Sequence, residues 1–296
     1  HSLFFPGGTR SRSGGIERKL KLGLAGTGLE AFGRTAEKGR ARPVFFVPAT
    51  INYMLTLEAE TLIDDFLQEE GKARYIIEDD ESTRVGRVTS FAQKLLGLDE
   101  STVIRFSEPL DCFGNTVDDE GRSYDAHGRR VEAQSYLFGD DEKPHRDAAR
   151  DVQYTRELGD VIVKAFAKDT VVMATHIVAA AAFDHLRKTV GKGDLFAILN
   201  HRDSVRVSRE ELVAKIGDII DRARELERNA RIALSPHLNA RPALVLEQAL
   251  RAFAGYHTNP VLGVGATDLV LEDTRLLFYY QNRLAAHGLA FDAIKR

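Results

Sequence analysis

Val44 to Tyr53 reads VFFVPATINY, and how this stretch is placed decides the fold. Four large apolar residues in a row describe a buried strand. Pro48 interrupts it, and a proline removes one ladder hydrogen bond, so it belongs at a strand end or a bulge. The sharper reading puts Pro48 where the chain bends at the carboxyl end of a parallel strand, the position at which open α/β sheets hold ligands.

Outward from this strand the pattern alternates. Leu3–Phe5 is strand-like, residues 28–39 suit a helix, 61–72 a second helix with Gly71 near its end, and 102–110 (TVIRFSEPL) a further strand halted by Pro109. A β-α-β order with short links favours parallel neighbours. The expected fold class is therefore α/β, a partial mixed or mostly parallel sheet with flanking helices over residues 1–110, followed by a C-terminal all-helical region.

Residues 111–150 change texture. VDDEGRSYDAHGRRV supplies turns at Gly121 and Gly128, read as a hairpin followed by a linker. One YDAHGRR copy without a period is not a repeat array. From 151 to 296 the period is helical. Ser208 stands three residues before Glu211, as in a capping box, and Leu212, Ile216, Ile219, Ile220, Ala223 and Leu226 fall on one stripe. Further helices fit 155–168, 171–188, 242–254 and 272–287, the last stopped by Gly288.

Composition bounds the function. The 296 residues carry 41 Lys and Arg against 44 Asp and Glu, a net charge of −3, so no overall positive field draws nucleic acid or anionic lipid and any anion site is local. A single cysteine, Cys112, excludes an internal disulfide framework and a cysteine zinc cluster, and reads as a buried thiol. The apolar run Val171–Phe183 falls short of the roughly 20 residues that span a bilayer, so it reads as a buried helix.

The chemistry-bearing segment is FPGGTRSRSG at 5–14. Arg10 and Arg12 are two residues apart, which on an extended segment places both guanidiniums on one side. Gly7 and Gly8 free backbone N–H groups, and Thr9, Ser11 and Ser13 add hydroxyls; together these suit the oxygens of a phosphate monoester. An exposed basic turn is the plainer reading of the same residues. Lys21 lies close in sequence as a third cation.

Other motifs are set aside. GTGLEA at 26–31 has the G-x-G-x-x-A spacing of a dinucleotide fingerprint, yet VPATIN stands where the acidic residue belongs, so Gly26 and Gly28 read as a close-packed helix start or turn. His287 and Asp292 have a His-x4-Asp spacing but lie in the C-terminal tail, and read as a surface histidine beside an unrelated carboxylate. His145, His176, His185 and His201 form no i,i+4 pair with a carboxylate base, so no metal site is assigned.

FFPGGTRSRSG, LKLGL and then VFFVPATINY after a helix-sized interval resemble the glycerol-3-phosphate acyltransferase family of phospholipid synthesis. In that family a strand runs into a Gly-x-Arg-Ser-Arg loop, and an apolar strand ending in proline follows. The likeness is specific over residues 2–53 and looser beyond, where VIRFSEPLD is similar to the next sheet strand and LVLEDTRLLFYYQNRL matches in general character only.

The resemblance implies that Gly8, Thr9, Arg10, Ser11 and Arg12 bind the phosphate of glycerol 3-phosphate, supported by Lys21, with Gly7 and Pro48 shaping the pocket. It implies an acyl-CoA or acyl-carrier-protein thioester as co-substrate, no bound cofactor, and a cytoplasmic protein that touches a membrane surface, with Phe278, Tyr279 and Tyr280 either as contact or as core. Lysophosphatidate acyltransferases carry Pro-Glu-Gly-Thr-Arg; Gly7 stands in place of that Glu, and Arg12 points to the glycerol-3-phosphate type. The family's catalytic His-x4-Asp precedes the arginine loop and is not in this chain, which is expected to be a fragment inactive on its own. A lysophosphatidate acyltransferase and a non-catalytic phosphate-binding scaffold are the competing expectations.

Overall fold

The computed structural model describes residues 1–7, 11–71, 102–139, 143–191, 193–201, 203–257 and 260–293. The chain is mixed α/β and divides into two compact units: His1–Thr9, Glu17–Thr50 and Ile104–Asp169 form the first, and Arg10–Ile16, Ile51–Val103 and Thr170–Arg296 the second.

In chain order the elements open with α1 (Gly23–Ala36), β1 (Ala49–Tyr53), α2 (Ala59–Gly71) and β2 (Thr102–Phe106). Three short strands follow, β3 (Thr116–Val117), β4 (Ser123–Tyr124) and β5 (Arg130–Val131), then α3 (Ala148–Lys168), β6 (Val171–Val172) and α4 (Ala174–Val190). The chain continues with α5 (Leu195–Leu199), β7 (Arg206–Ser208), α6 (Arg209–Arg228), β8 (Ala233–Leu234), α7 (Pro242–Tyr256), β9 (Leu262–Val264), β10 (Asp268–Leu271) and α8 (Thr274–Ala285).

The first unit is built on α1 against α3. Small residues let the layers close: a Cβ at Gly28 would stand 2.5 Å from the Phe46 ring, and one at Gly159 2.7 Å from Leu22. Leu29, Phe32 and Ala36 pack with Cys112, Phe113 and Leu137, while Ala25, Leu110, Leu158 and Ile162 form a second small cluster. Burial pushes the Cys112 thiol far up, as befits an inert buried cysteine. Two Asp-x-x-Gly-Arg turns make the antiparallel β3-β4-β5 meander: Asp118 accepts from the backbone of Glu120 and Arg122, and Asp125 from that of His127 and Arg129. Gly121 and Gly128 take the φ values of +78° and +75° that these turns require.

The second unit is organised on α4, whose residues Ala174–Phe183 are all buried. It packs against α6, α7 and α8. The stripe Leu212, Ile216, Ile219, Ile220 and Ala223 of α6 faces this core, Leu226 lies at its margin, and Ser208 caps the helix by accepting from Glu211 N at 3.1 Å. Gly288, at φ +69°, follows α8 as its stop.

Several expectations are corrected. Leu3–Phe5 is not a strand: no ladder partner meets it among the described residues, and Leu3 and Phe5 are 85% and 72% exposed. The expected mixed or mostly parallel sheet over residues 1–110 is replaced by small separate sheets: Phe46 meets Leu110 in antiparallel fashion, short turns make β3-β4-β5 antiparallel, β7-β10-β9 is likewise antiparallel, and β6 and β8 pair in parallel. The C-terminal part is not all-helical, since β6 to β10 lie within it. Pro48 is not at the end of a parallel strand. Phe46 bridges Leu110 in antiparallel fashion and Ser107 N donates to Pro48 O at 2.9 Å, so two residues on one side oppose three on the other. That is a bulge, one of the two places a proline is tolerated.

Candidate functional site

The arginine loop is a closed turn. Ser11 Oγ donates to Gly15 O at 2.8 Å, and Gly15 N donates to Ser13 Oγ at 3.2 Å. These local bonds are what serine and glycine offer in place of regular structure. Arg12 Nη1 donates to Glu69 Oε2 of α2 at 2.9 Å, and the arginine side chain is 38% exposed. The guanidinium has thus kept an open side while resting on an exposed carboxylate.

The turn lies against α8. Asn282 Nδ2 donates to Ser13 O at 2.8 Å, and a Cβ at Gly14 would fall 2.3 Å from the Tyr279 carbonyl oxygen. Only glycine fits there, and its φ of +74° is a second reason. Sequence reading missed Glu69 and Asn282, and took Tyr279 only as membrane contact or core. The one local sign was the polar pair Gln281-Asn282 directly after the apolar run Leu276–Tyr280; both side chains are buried.

Of the remaining sequence-predicted residues, Gly8, Thr9 and Arg10 lie outside the described residues. Ser11 and Arg12 are brought together in the second unit. Gly7, Lys21 and Pro48 belong to the first unit, where Lys21 N donates to Pro6 O at 2.7 Å, the Lys21 side chain is exposed, and Pro48 is buried.

Around α8 the electrostatics are set by burial. Arg283 donates to Asn52 Oδ1 at 2.7 Å, and desolvation lowers its pKa to about 10. His176 accepts from Met173 N at 3.2 Å; burial first, and then the nearby Arg283 charge, lower its pKa to about 3, so it is a neutral structural ring. His287 is half-buried rather than a surface residue: its Nε2 is enclosed without a hydrogen-bond partner, and burial with Arg231 and Arg283 lowers its pKa to about 4. Phe278, Tyr279 and Tyr280 are core, and Tyr280 Oη meets His257 Nε2 at 2.9 Å. A cleft of about 540 Å³ beside His201, Asp203, Thr274 and Arg275 contains none of the predicted site residues.

No protein-family model, no curated protein and no solved structure matches this chain.

Proposed function

We propose that this chain is the acceptor-binding part of an O-acyltransferase that moves a fatty acyl group from an acyl thioester to glycerol 3-phosphate. One observation carries the reading: Arg12 stands on a glycine-serine turn that is folded, closed on itself and still open to solvent. A phosphate dianion can meet the Arg12 guanidinium with two oxygens, as a carboxylate can, but carries a second negative charge, which favours it over the exposed Glu69 carboxylate that now makes a single contact. The Ser13 hydroxyl, which accepts from Gly15 N and keeps its own hydrogen to donate, adds to the anchor, and Arg10, outside the described residues, is a second cation two positions away in sequence. Anchoring the acceptor lowers the barrier by positioning its hydroxyl to attack the thioester carbonyl; a base that this proposal does not place in the 296 residues takes the hydroxyl proton, the ester C–O bond forms as the C–S bond breaks, and the thiolate takes up the proton and leaves as the free thiol.

The lipid product asks for contact with a membrane surface. Among the described residues no helix is long and apolar enough to cross a membrane. The buried Phe278–Tyr280 stripe does not serve as contact. The first unit instead exposes Phe45, Val47, Ile104 and Phe106, and Lys38, Arg40 and Arg42 just before Phe45, a combination suited to an anionic bilayer surface.

The test is calorimetric titration of the chain with glycerol 3-phosphate. Binding that Arg12→Ala weakens about tenfold or more, the equivalent of a charge-assisted bond, supports the reading. No binding, or binding indifferent to Arg12→Ala, overturns it. Turnover with labelled acyl thioester, using the protein that supplies the base, distinguishes the acceptors; preference for lysophosphatidate would replace glycerol 3-phosphate.

A further inference from the structure

We infer that helix α8 is the seat that shapes the arginine loop, with Asn282 as a positioning residue that aims the Gly14 amide at the bound anion; this rests on the anion-binding reading above. Asn282 is 2% exposed, and its two ends are committed. Its oxygen accepts from Gln281 Nε2, which also donates to Phe291 O at 3.0 Å, so its amide nitrogen is the end left to reach Ser13 O at 2.8 Å. That bond fixes the peptide joining Ser13 and Gly14. In a trans peptide the N–H points opposite the C=O, and the chain has no cis bonds. With the Ser13 carbonyl turned to α8, the Gly14 N–H is turned away from it.

Among the described residues no acceptor meets that N–H. It is a backbone donor one peptide beyond Ser13 and two residues from Arg12, in a turn whose hydroxyls are already arranged. The close approach holds the arrangement from the other side. A side chain at Gly14 would meet the Tyr279 carbonyl oxygen at 2.3 Å and its carbon at 3.0 Å, both backbone of a buried helix that cannot give way. Residues 13–15 therefore rest on a single turn of α8, and the anion site is built by two stretches more than 260 positions apart, the separation of Asn282 from Ser13 being 269.

The probe is inorganic phosphate, titrated against the whole chain while the Gly14 amide is followed by ¹⁵N–¹H spectroscopy. The Gly14 resonance is expected to move with phosphate. Asn282→Ala and Gly14→Ala should each weaken phosphate about tenfold, the loss of one bond to a charged ligand. The double variant should be little worse than either single, because both act on one peptide. Leu238→Ala, a fully buried core residue of the same unit, is the control: it should lower the melting temperature and leave phosphate affinity unchanged. Gly14→Ala leaves the helix sequence intact, so the question stays open to test if Asn282→Ala fails to fold. Phosphate affinity that depends on Arg12 but not on Asn282 or Gly14 overturns the seat and spares the anion site. Equal weakening by Leu238→Ala also overturns it, and no phosphate binding by the unaltered chain removes both.

Discussion

The two units are stabilised in different ways. The second has one continuous core in which α4 is enclosed by α6, α7 and α8, with Phe183 and Phe278 ring to ring at 5.5 Å. The first has two small clusters, an aromatic group in which Phe113 stacks on Tyr136 at 4.7 Å and meets Phe32 and Tyr154 edge to face, and turns tied by buried or half-buried aspartates such as Asp111, which accepts from Phe113 N and Asn115 N. It also leaves Leu3, Phe5 and Phe106 in solvent. Apolar area drives one and local polar geometry the other, so the two should respond to different insults.

The comparison breaks most readily at Phe278. It is fully buried against Phe66 and Phe183, and Phe278→Ala should cost about 3–5 kcal/mol in the second unit's unfolding only. Denaturant unfolding followed by segment-resolved hydrogen exchange checks this; an equal loss of protection in the first unit would mean that the two unfold as one.

Acidification sharpens the contrast with a smaller effect. In the second unit His176 and His287 have folded pKa values of about 3 and about 4, both lowered chiefly by burial. A histidine depressed on folding lends stability that is complete above its ordinary value near 6.5 and is lost as pH falls toward the folded value. In the first unit Asp151 is raised by burial, but Asp118, Asp125 and Asp147 are carboxylates held low by hydrogen bonds from neighbouring backbone and, for the first two, arginine, despite some desolvation; Asp125 lies at about 2. Their contribution stands above about 4 and is lost only below it. Asp64 of the second unit, raised by burial, acts in the opposite sense and only in the carboxylate range. Between pH 7.5 and 5 the second unit should therefore lose protection while the first holds, and His176→Gln should flatten that dependence by about one proton.

The smallest expected effect is at Glu69. Its pair with Arg12 is exposed on both sides, and such pairs contribute about 0.2–1 kcal/mol, so Glu69→Gln should leave melting unchanged and strengthen phosphate binding about two- to fivefold by removing a competitor for Arg12. Weaker phosphate binding in that variant would make Glu69 part of the anchor rather than its rival.

Much of this was legible residue by residue. The α6 stripe and its Ser208 cap follow from a 3.6-residue period and a short polar side chain, both local properties. The turns at Gly121 and Gly128 and the buried α4 follow in the same way, whereas the sequence left Pro48 open between a strand end and a bulge. Pairing direction did not, because an apolar run such as Val44–Val47 looks alike in parallel and antiparallel sheets. Leu3–Phe5 has a strand's composition and no strand to pair with among the described residues. In the candidate site, Arg12 and its serines announce themselves by type and spacing, whereas Asn282 does not.

Sequence alone thus determined the periodic helices and the glycine turns, and supplied the residue types behind the proposed anion site, since each depends on side-chain chemistry and on neighbours a few residues away. Tertiary structure alone decided which strands pair, which of the aromatic residues of α8 are core, and which distant amide holds the Ser13 carbonyl. The Asn282–Ser13 bond spans 269 positions, and the pairings of β6 with β8 and of β7 with β10 span 60 or more, so no local pattern encodes those partners.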